Sequence, residues 1–297
     1  MAHTHTHTHD SIDWPTRLAS LRRVDDRDAV YARQVADRLV ELVGARHRPT
    51  IVDVGSGGGG MSAAFAASLG ARAGGRIVLT DAVGELLAAA SALVGEVPTA
   101  APVAVETVRE DAASERLADQ LPPADLVWAS RVVHHLPDQQ LAIDGLVKAL
   151  TPGGWLALGE GGLATSCLPW DLGVGEPGLA GRLTAARDRW FVTMRAEMPG
   201  VVSLPVGWNK ALEAAGLTDV SSFSYVIDHP APASEGVRQS VVDWLGWMAA
   251  AGEDELSESD RRTMARLLDP EDEAYVGRRD DVFVLGASTV YIGRKRD

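Results

Sequence analysis

The segment IVDVGSGGGG at 51–60 sets an apolar run in front of six residues, five of them glycine. A buried strand that ends in such a turn and feeds a helix lets backbone approach a ligand closely and points helix N–H groups at it. This is the chemistry of a cradle for a nucleotide-type ligand. The letters alone leave that ligand open, because Gly55, Gly57 and Gly60 also satisfy the dinucleotide fingerprint. Asp53, Asp81 and Asp111 each accompany a short apolar run. Each has a structural reading as well: a cap on the glycine turn, a helix cap and an Asx turn, respectively. Downstream, His134 and His135 in RVVHHLPD and Glu160 before two glycines carry groups suited to proton transfer. Neighbouring residues point different ways, so one histidine faces a site or anchors the turn while the other packs or meets solvent. Glu160 is otherwise an exposed loop carboxylate, and Arg131 an ordinary surface ion pair.

These residues need a scaffold, and the patterning supplies one. Short apolar runs at 50–54, 76–80, 103–108, 125–129 and 155–158 predict buried strands, with Ala- and Leu-rich helical stretches between them. Strand and helix in alternation imply a parallel sheet covered on both faces. Ahead of it, Tyr31, Val35, Leu39 and Leu42 form one stripe of a helix over 15–44. Beyond residue 160 the alternation stops for about forty residues, until Leu179, Leu183, Ala186, Trp190 and Met194 predict an amphipathic helix over 177–198. A helix at 206–215, a strand near 218–227, an insertion at 233–278 and a strand-like run at 282–293 complete the chain. Trp170, Trp190, Trp208, Trp244 and Trp247 fall mainly in the insertions. They either line a roomy cap or form its own small core.

Composition narrows the partners. Asp and Glu outnumber Lys and Arg by 41 to 28, a formal charge of −13, which weighs against a nucleic-acid partner. No apolar stretch reaches the ~20 residues of a membrane span, and a signal-peptide order is missing, so a cytoplasmic protein with no membrane partner is expected. Cys167 is the single cysteine and is read as a small packed hydrophobe. His3, His5, His7 and His9 alternate with Thr in residues 1–10, read as a disordered tail or tag and not as a metal site.

Five segments resemble, in order, the motifs of the class I S-adenosylmethionine (SAM) methyltransferases: DVGSGGG, RIVLTDAV, VETVREDAA, DLVWASRVVHHLPD and LTPGGWLALGE. They cover about residues 50–160. The resemblance implies an α/β, Rossmann-like seven-stranded sheet whose last strand is antiparallel, with helical cap insertions. It further implies SAM as cofactor, S-adenosylhomocysteine (SAH) as product and no metal. Asp53, Gly55, Ser56, Gly57 and Gly59 would form the cofactor loop. Asp81 and Ala82 would meet the ribose, Asp111 and Ala112 the adenine, and Ser130 and Arg131 would complete the cofactor site. His134, His135 and Glu160 are the expected catalytic residues, Glu160 as base or as anchor for a cationic substrate. Three acids at corresponding strand ends favour one shared crevice over three separate caps.

The expected organisation is an N-terminal helical lead-in or lid at 11–48, a SAM-binding core at 49–160 and a cap insertion at 161–205. A core helix and sixth strand at 206–232, a second cap insertion at 233–278 and the last strand at 279–297 follow. The expected activity is methyl transfer to O or N of a small molecule, hydrophobic or aromatic, in specialised metabolism, by a chain that can form a homodimer. Cyclisation or other non-methyl chemistry on the same fold, or SAM binding without turnover, are the alternatives.

Overall fold

The computed structural model describes residues 14–297; the tail expected at 1–10 lies outside the described residues. Helix α1 (Trp14–Leu42) precedes five strands alternating with four helices: β1 (Thr50–Val54), α2 (Gly60–Gly70), β2 (Gly75–Asp81), α3 (Gly84–Gly95), β3 (Val103–Arg109), α4 (Leu117–Gln120), β4 (Ala124–Ser130), α5 (Gln139–Lys148) and β5 (Leu150–Ser166). Then come α6 (Leu179–Glu197), α7 (Trp208–Ala214), β6 (Thr218–His229), α8 (Glu235–Ala251), α9 (Glu258–Leu268) and β7 (Val284–Arg294). The strands form one sheet of order β3-β2-β1-β4-β5-β7-β6, with β7 antiparallel to both neighbours. This is the mixed seven-stranded sheet with an antiparallel last strand that the sequence resemblance implies.

Alternation along the strands divides the core into two layers. Ile51, Ile77, Leu79 and Leu126 face α1, α2 and α3, where Phe65 and Leu39 are fully buried. Val52, Val54, Val78 and Val127 face the other way, toward α4, α5 and α7. A third apolar cluster lies outside these layers and joins α6, α8 and α9 through Leu183, Ala186, Leu245, Met248 and Leu267. Trp244 and Trp247 pack against it, and Trp190 meets Trp247 edge to face at 6.2 Å. These tryptophans therefore serve the cap's own core, while Trp170 is 75% exposed.

One strand differs from its predicted extent. The run at 155–158 is the centre of β5, which continues through Leu150–Ser166 instead of ending near residue 160. Glycines at 153, 154, 161 and 162 carry little strand propensity, and non-local pairing overrides it. Gly162, Leu163 and Ser166 pair with Ser288, Ala287 and Leu285 of β7.

Candidate active site

The glycine loop lies at the carboxyl end of β1, between β2 and β4. Gly55 and Ser56 N–H both donate to the Thr80 carbonyl, at 2.8 and 3.0 Å. Asp81, which ends β2, accepts the Gly57 N–H and the Val83 N–H, each at 3.0 Å, so one carboxylate ties the loop to the start of α3. A Cβ on Gly59 would lie 2.7 Å from the Ala90 backbone, and one on Gly55 2.4 Å from Val132 Cγ2; packing excludes both. Gly57 differs: its φ is +52°, and a Cβ there would meet nothing within 4 Å. Its missing side chain leaves room for a ligand and not for a neighbouring element.

The charge around this loop is acidic. Asp53 is buried and accepts the Ser62 hydroxyl; burial pushes its carboxyl up to about 7, and the Asp81 and Asp25 charges add to the rise. Asp25, reaching over from α1, stands against Gly58 and Gly60, and its carboxyl is pushed up to about 6, chiefly by burial. With Asp25 and Asp81 at the loop and Asp53 part-ionised beside them, the site favours a cationic ligand over a pyrophosphate. The Ser56 hydroxyl is buried with no hydrogen-bond partner, one more polar group that a ligand would satisfy. Sulfonium and ammonium groups of SAM fit this donor set and charge.

The second half of the site is built from the turn after β4. Glu160, mid-strand in β5 and 1% exposed, accepts Val132 N–H at 3.2 Å and Val133 N–H at 2.9 Å through Oε1. Its Oε2 stands 2.6 Å from His134 Nδ1. Glu160 is thus a buried anchor of the turn and the partner that fixes the imidazole, not an exposed loop carboxylate. His135 packs its ring 4.0 Å from that of His134, and Phe191 of α6 lies 5.7 and 5.8 Å from the two. Beside them a cavity of about 330 Å³ is lined by Ser130, Arg131, His134, Glu160, Trp208 and Ser288, with Gly159 and Gly161. A larger open groove between α3 and β3, about 540 Å³, carries no titratable side chain.

The remaining predicted residues are placed as follows. Ser130 Oγ donates to the Gly159 carbonyl at 3.3 Å, and Arg131 is exposed with φ +56°. Asp111 accepts the Ala113 N–H at 2.8 Å in an Asx turn, next to Ala112, which packs on the α5 layer. The Ala82 carbonyl accepts from Arg109. Sequence reasoning missed Asp25, Phe191 and Arg195, because their partners lie in segments remote along the chain. Cys167 is buried, and burial pushes its thiol up to about 12, which leaves it unsuited to attack. Among the described residues no group of His, Cys, Asp or Glu stands ready to hold a metal ion, and no helix is long and apolar enough to cross a membrane.

Residues 52–156 match the family model described as a methyltransferase domain. No curated protein matches the chain. Among solved structures, it is similar to a candidate methyltransferase from Bacillus halodurans, at 17% identity and TM-score 0.47, over 87% of this chain and 99% of that one. It is also similar to the YcgJ protein of Bacillus subtilis, at 19% identity and TM-score 0.44, over 87% and 97%. An O-methyltransferase family protein from Burkholderia thailandensis matches at 16% identity and TM-score 0.46, over 92% of this chain and 59% of that one. Residues 52–156 are thus similar to a methyltransferase domain, and they lie on a seven-stranded sheet of order β3-β2-β1-β4-β5-β7-β6.

Proposed function

We propose that the protein is a cytoplasmic SAM-dependent methyltransferase acting on an oxygen or nitrogen atom of a small, hydrophobic or planar acceptor in specialised metabolism. The observation that carries this reading is the His134 imidazole, held through Nδ1 by buried Glu160 at the wall of a cavity that Ser130, Arg131 and Trp208 also line. Gly55, Ser56, Gly57 and Gly59 with Asp81, Ala82, Asp111 and Ala112 are the residues that would hold SAM. Bound there, SAM supplies a methyl carbon made electrophilic by its sulfonium. The chain's own task is to orient the acceptor, exclude water and take up a proton. A phenol, with a pKa near ~10 in water, needs a base to attack well at neutral pH. With Nδ1–H donated to Glu160, His134 keeps its Nε2 lone pair for the acceptor proton, and the carboxylate stabilises the charge the ring then gains. Trp208 offers the cavity an aromatic wall for a planar acceptor.

The test is incubation with SAM and a panel of phenols and amines, read by mass spectrometry. SAH together with a product heavier by one methylene supports the reading. A product formed without SAH would assign the site to cyclisation or other non-methyl chemistry. SAM binding with no turnover of any acceptor would make it a binding protein.

A further inference from the structure

The turn that carries His134 is held from two sides by opposite charges. From the sheet side, Glu160 takes its N–H groups, those of Val132 and Val133, and the imidazole Nδ1. From the cap side, Arg195 of α6 takes its carbonyls: Nη1 donates to His134 O at 2.7 Å and Leu136 O at 3.0 Å, and Nη2 to Pro137 O at 3.3 Å. Gln139 adds a further bond to His134 O at 3.1 Å. Arg195 is half-buried, its pKa lowered by desolvation, and among the described residues no carboxylate is bonded to it. A partly desolvated guanidinium without a counter-ion is compensated where several acceptors converge on it, and here they are the carbonyls of one turn. One helical turn earlier, Phe191 lies against both imidazole rings. The other end of the same helix is fixed in the cap, where Leu183 and Ala186 are fully buried.

We infer that Arg195 is a positioning residue, through which cap helix α6 sets the orientation of the His134 imidazole. This rests on the proposed role of His134 as base. The guanidinium fixes the carbonyl at His134, and with it the backbone from which the ring meets Glu160 through Nδ1 at the cavity wall. Phe191 of the same helix packs against the ring, with centroids 5.7 Å apart. The cap is thereby coupled to the base by a single helix, and an acceptor that shifts α6 shifts His134 with it.

The experiment compares wild type with Arg195→Ala, Arg195→Lys and the control Arg187→Ala. Arg187 is an α6 arginine paired with its neighbour Asp188. Imidazole ¹⁵N NMR reads the His134 tautomer, calorimetry reads SAM and SAH affinity, and the acceptor found in the methylation screen gives kcat and KM. Arg195→Ala is expected to replace one His134 tautomer, protonated at Nδ1, by a mixture, and to lower kcat about 10- to 100-fold with SAM affinity unchanged. Arg195→Lys, with one donor group in place of a fork, is expected to fall between, and Arg187→Ala to match wild type. An unchanged tautomer in folded Arg195→Ala overturns the inference, as does an equal loss in Arg187→Ala. The failures separate: if His134→Ala keeps full turnover, the base reading itself is wrong, whatever Arg195 does.

Discussion

Replacing Glu160 by Gln isolates the charge of the buried anchor while keeping its shape. Two backbone N–H bonds, at 3.2 and 2.9 Å, survive as neutral bonds if the amide oxygen takes the Oε1 position. A bond to a charged group contributes about 1.5–3 kcal/mol and a neutral one about 0.5–1.5, so the pair loses about 2 kcal/mol, partly offset because no charge is then buried. For a chain of this size each kcal/mol moves Tm by about 2–4 °C, so a fall of a few degrees is expected. Catalysis suffers more. The amide NH2 then faces His134 Nδ1, formerly 2.6 Å from an acceptor oxygen. The ring must accept there, so Nε2 carries the proton and loses its lone pair. Methyl transfer to a phenol should drop by about 10²- to 10⁴-fold, the usual worth of a positioned base. Thermal unfolding, SAM calorimetry and SAH formation measured on one preparation separate the two effects. Wild-type turnover in a folded Glu160→Gln protein would refute the base assignment.

Other outcomes follow from the glycine loop. Gly57→Ala should fold with a cost of about 1–2 kcal/mol for its left-handed backbone, yet lose SAM binding in calorimetry; Gly59→Ala should lose Tm far more, because its Cβ meets the Ala90 backbone at 2.7 Å. Asp81→Ala should weaken SAM at least about 10-fold, since it removes both a ligand acceptor and the bond that shapes the loop at Gly57. Asp53 gives a pH signature. Its folded carboxyl, pushed up to about 7 by burial, keeps a proton that the unfolded chain has released near ~3.9, so the native state binds more protons between about pH 4 and 7. Stability should therefore fall as pH rises through that window, and Asp53→Asn should flatten the fall in denaturant titrations; an identical slope in the variant would count against it.

The sheet was readable where burial made the pattern local. Strand β1 spans Thr50–Val54, the predicted 50–54, because a central strand covered on both faces is a continuous apolar run. Helix α6 at Leu179–Glu197 agrees within two residues with the predicted 177–198, its start set by Gly178 at φ +81°. The far end of β5 was not readable, since its strand character comes from β7, more than a hundred residues later. At the site, the Asx turn of Asp111 was visible in local spacing. The burial of Glu160 was not: two flanking glycines read as a loop, and the donors that occupy it lie 26–28 residues upstream. Asp25 and Arg195 were hidden in the same way, as ordinary charges on helices whose docking decides what they touch.

The contact between Gly55 and Val132 has a consequence for how closely the two halves of the site are registered. Where a Cβ on Gly55 would fall, Val132 Cγ2 is already 2.4 Å away, and Val132 is two residues before His134. The floor under the cofactor loop and the turn bearing the base are therefore machined against one common reference surface. Positional error does not accumulate through a chain of intermediate parts, as it would if loop and base were each referred to distant scaffold. The cap can be refitted to another acceptor without loss of that registration as long as α6 keeps Arg195 on the His134 turn.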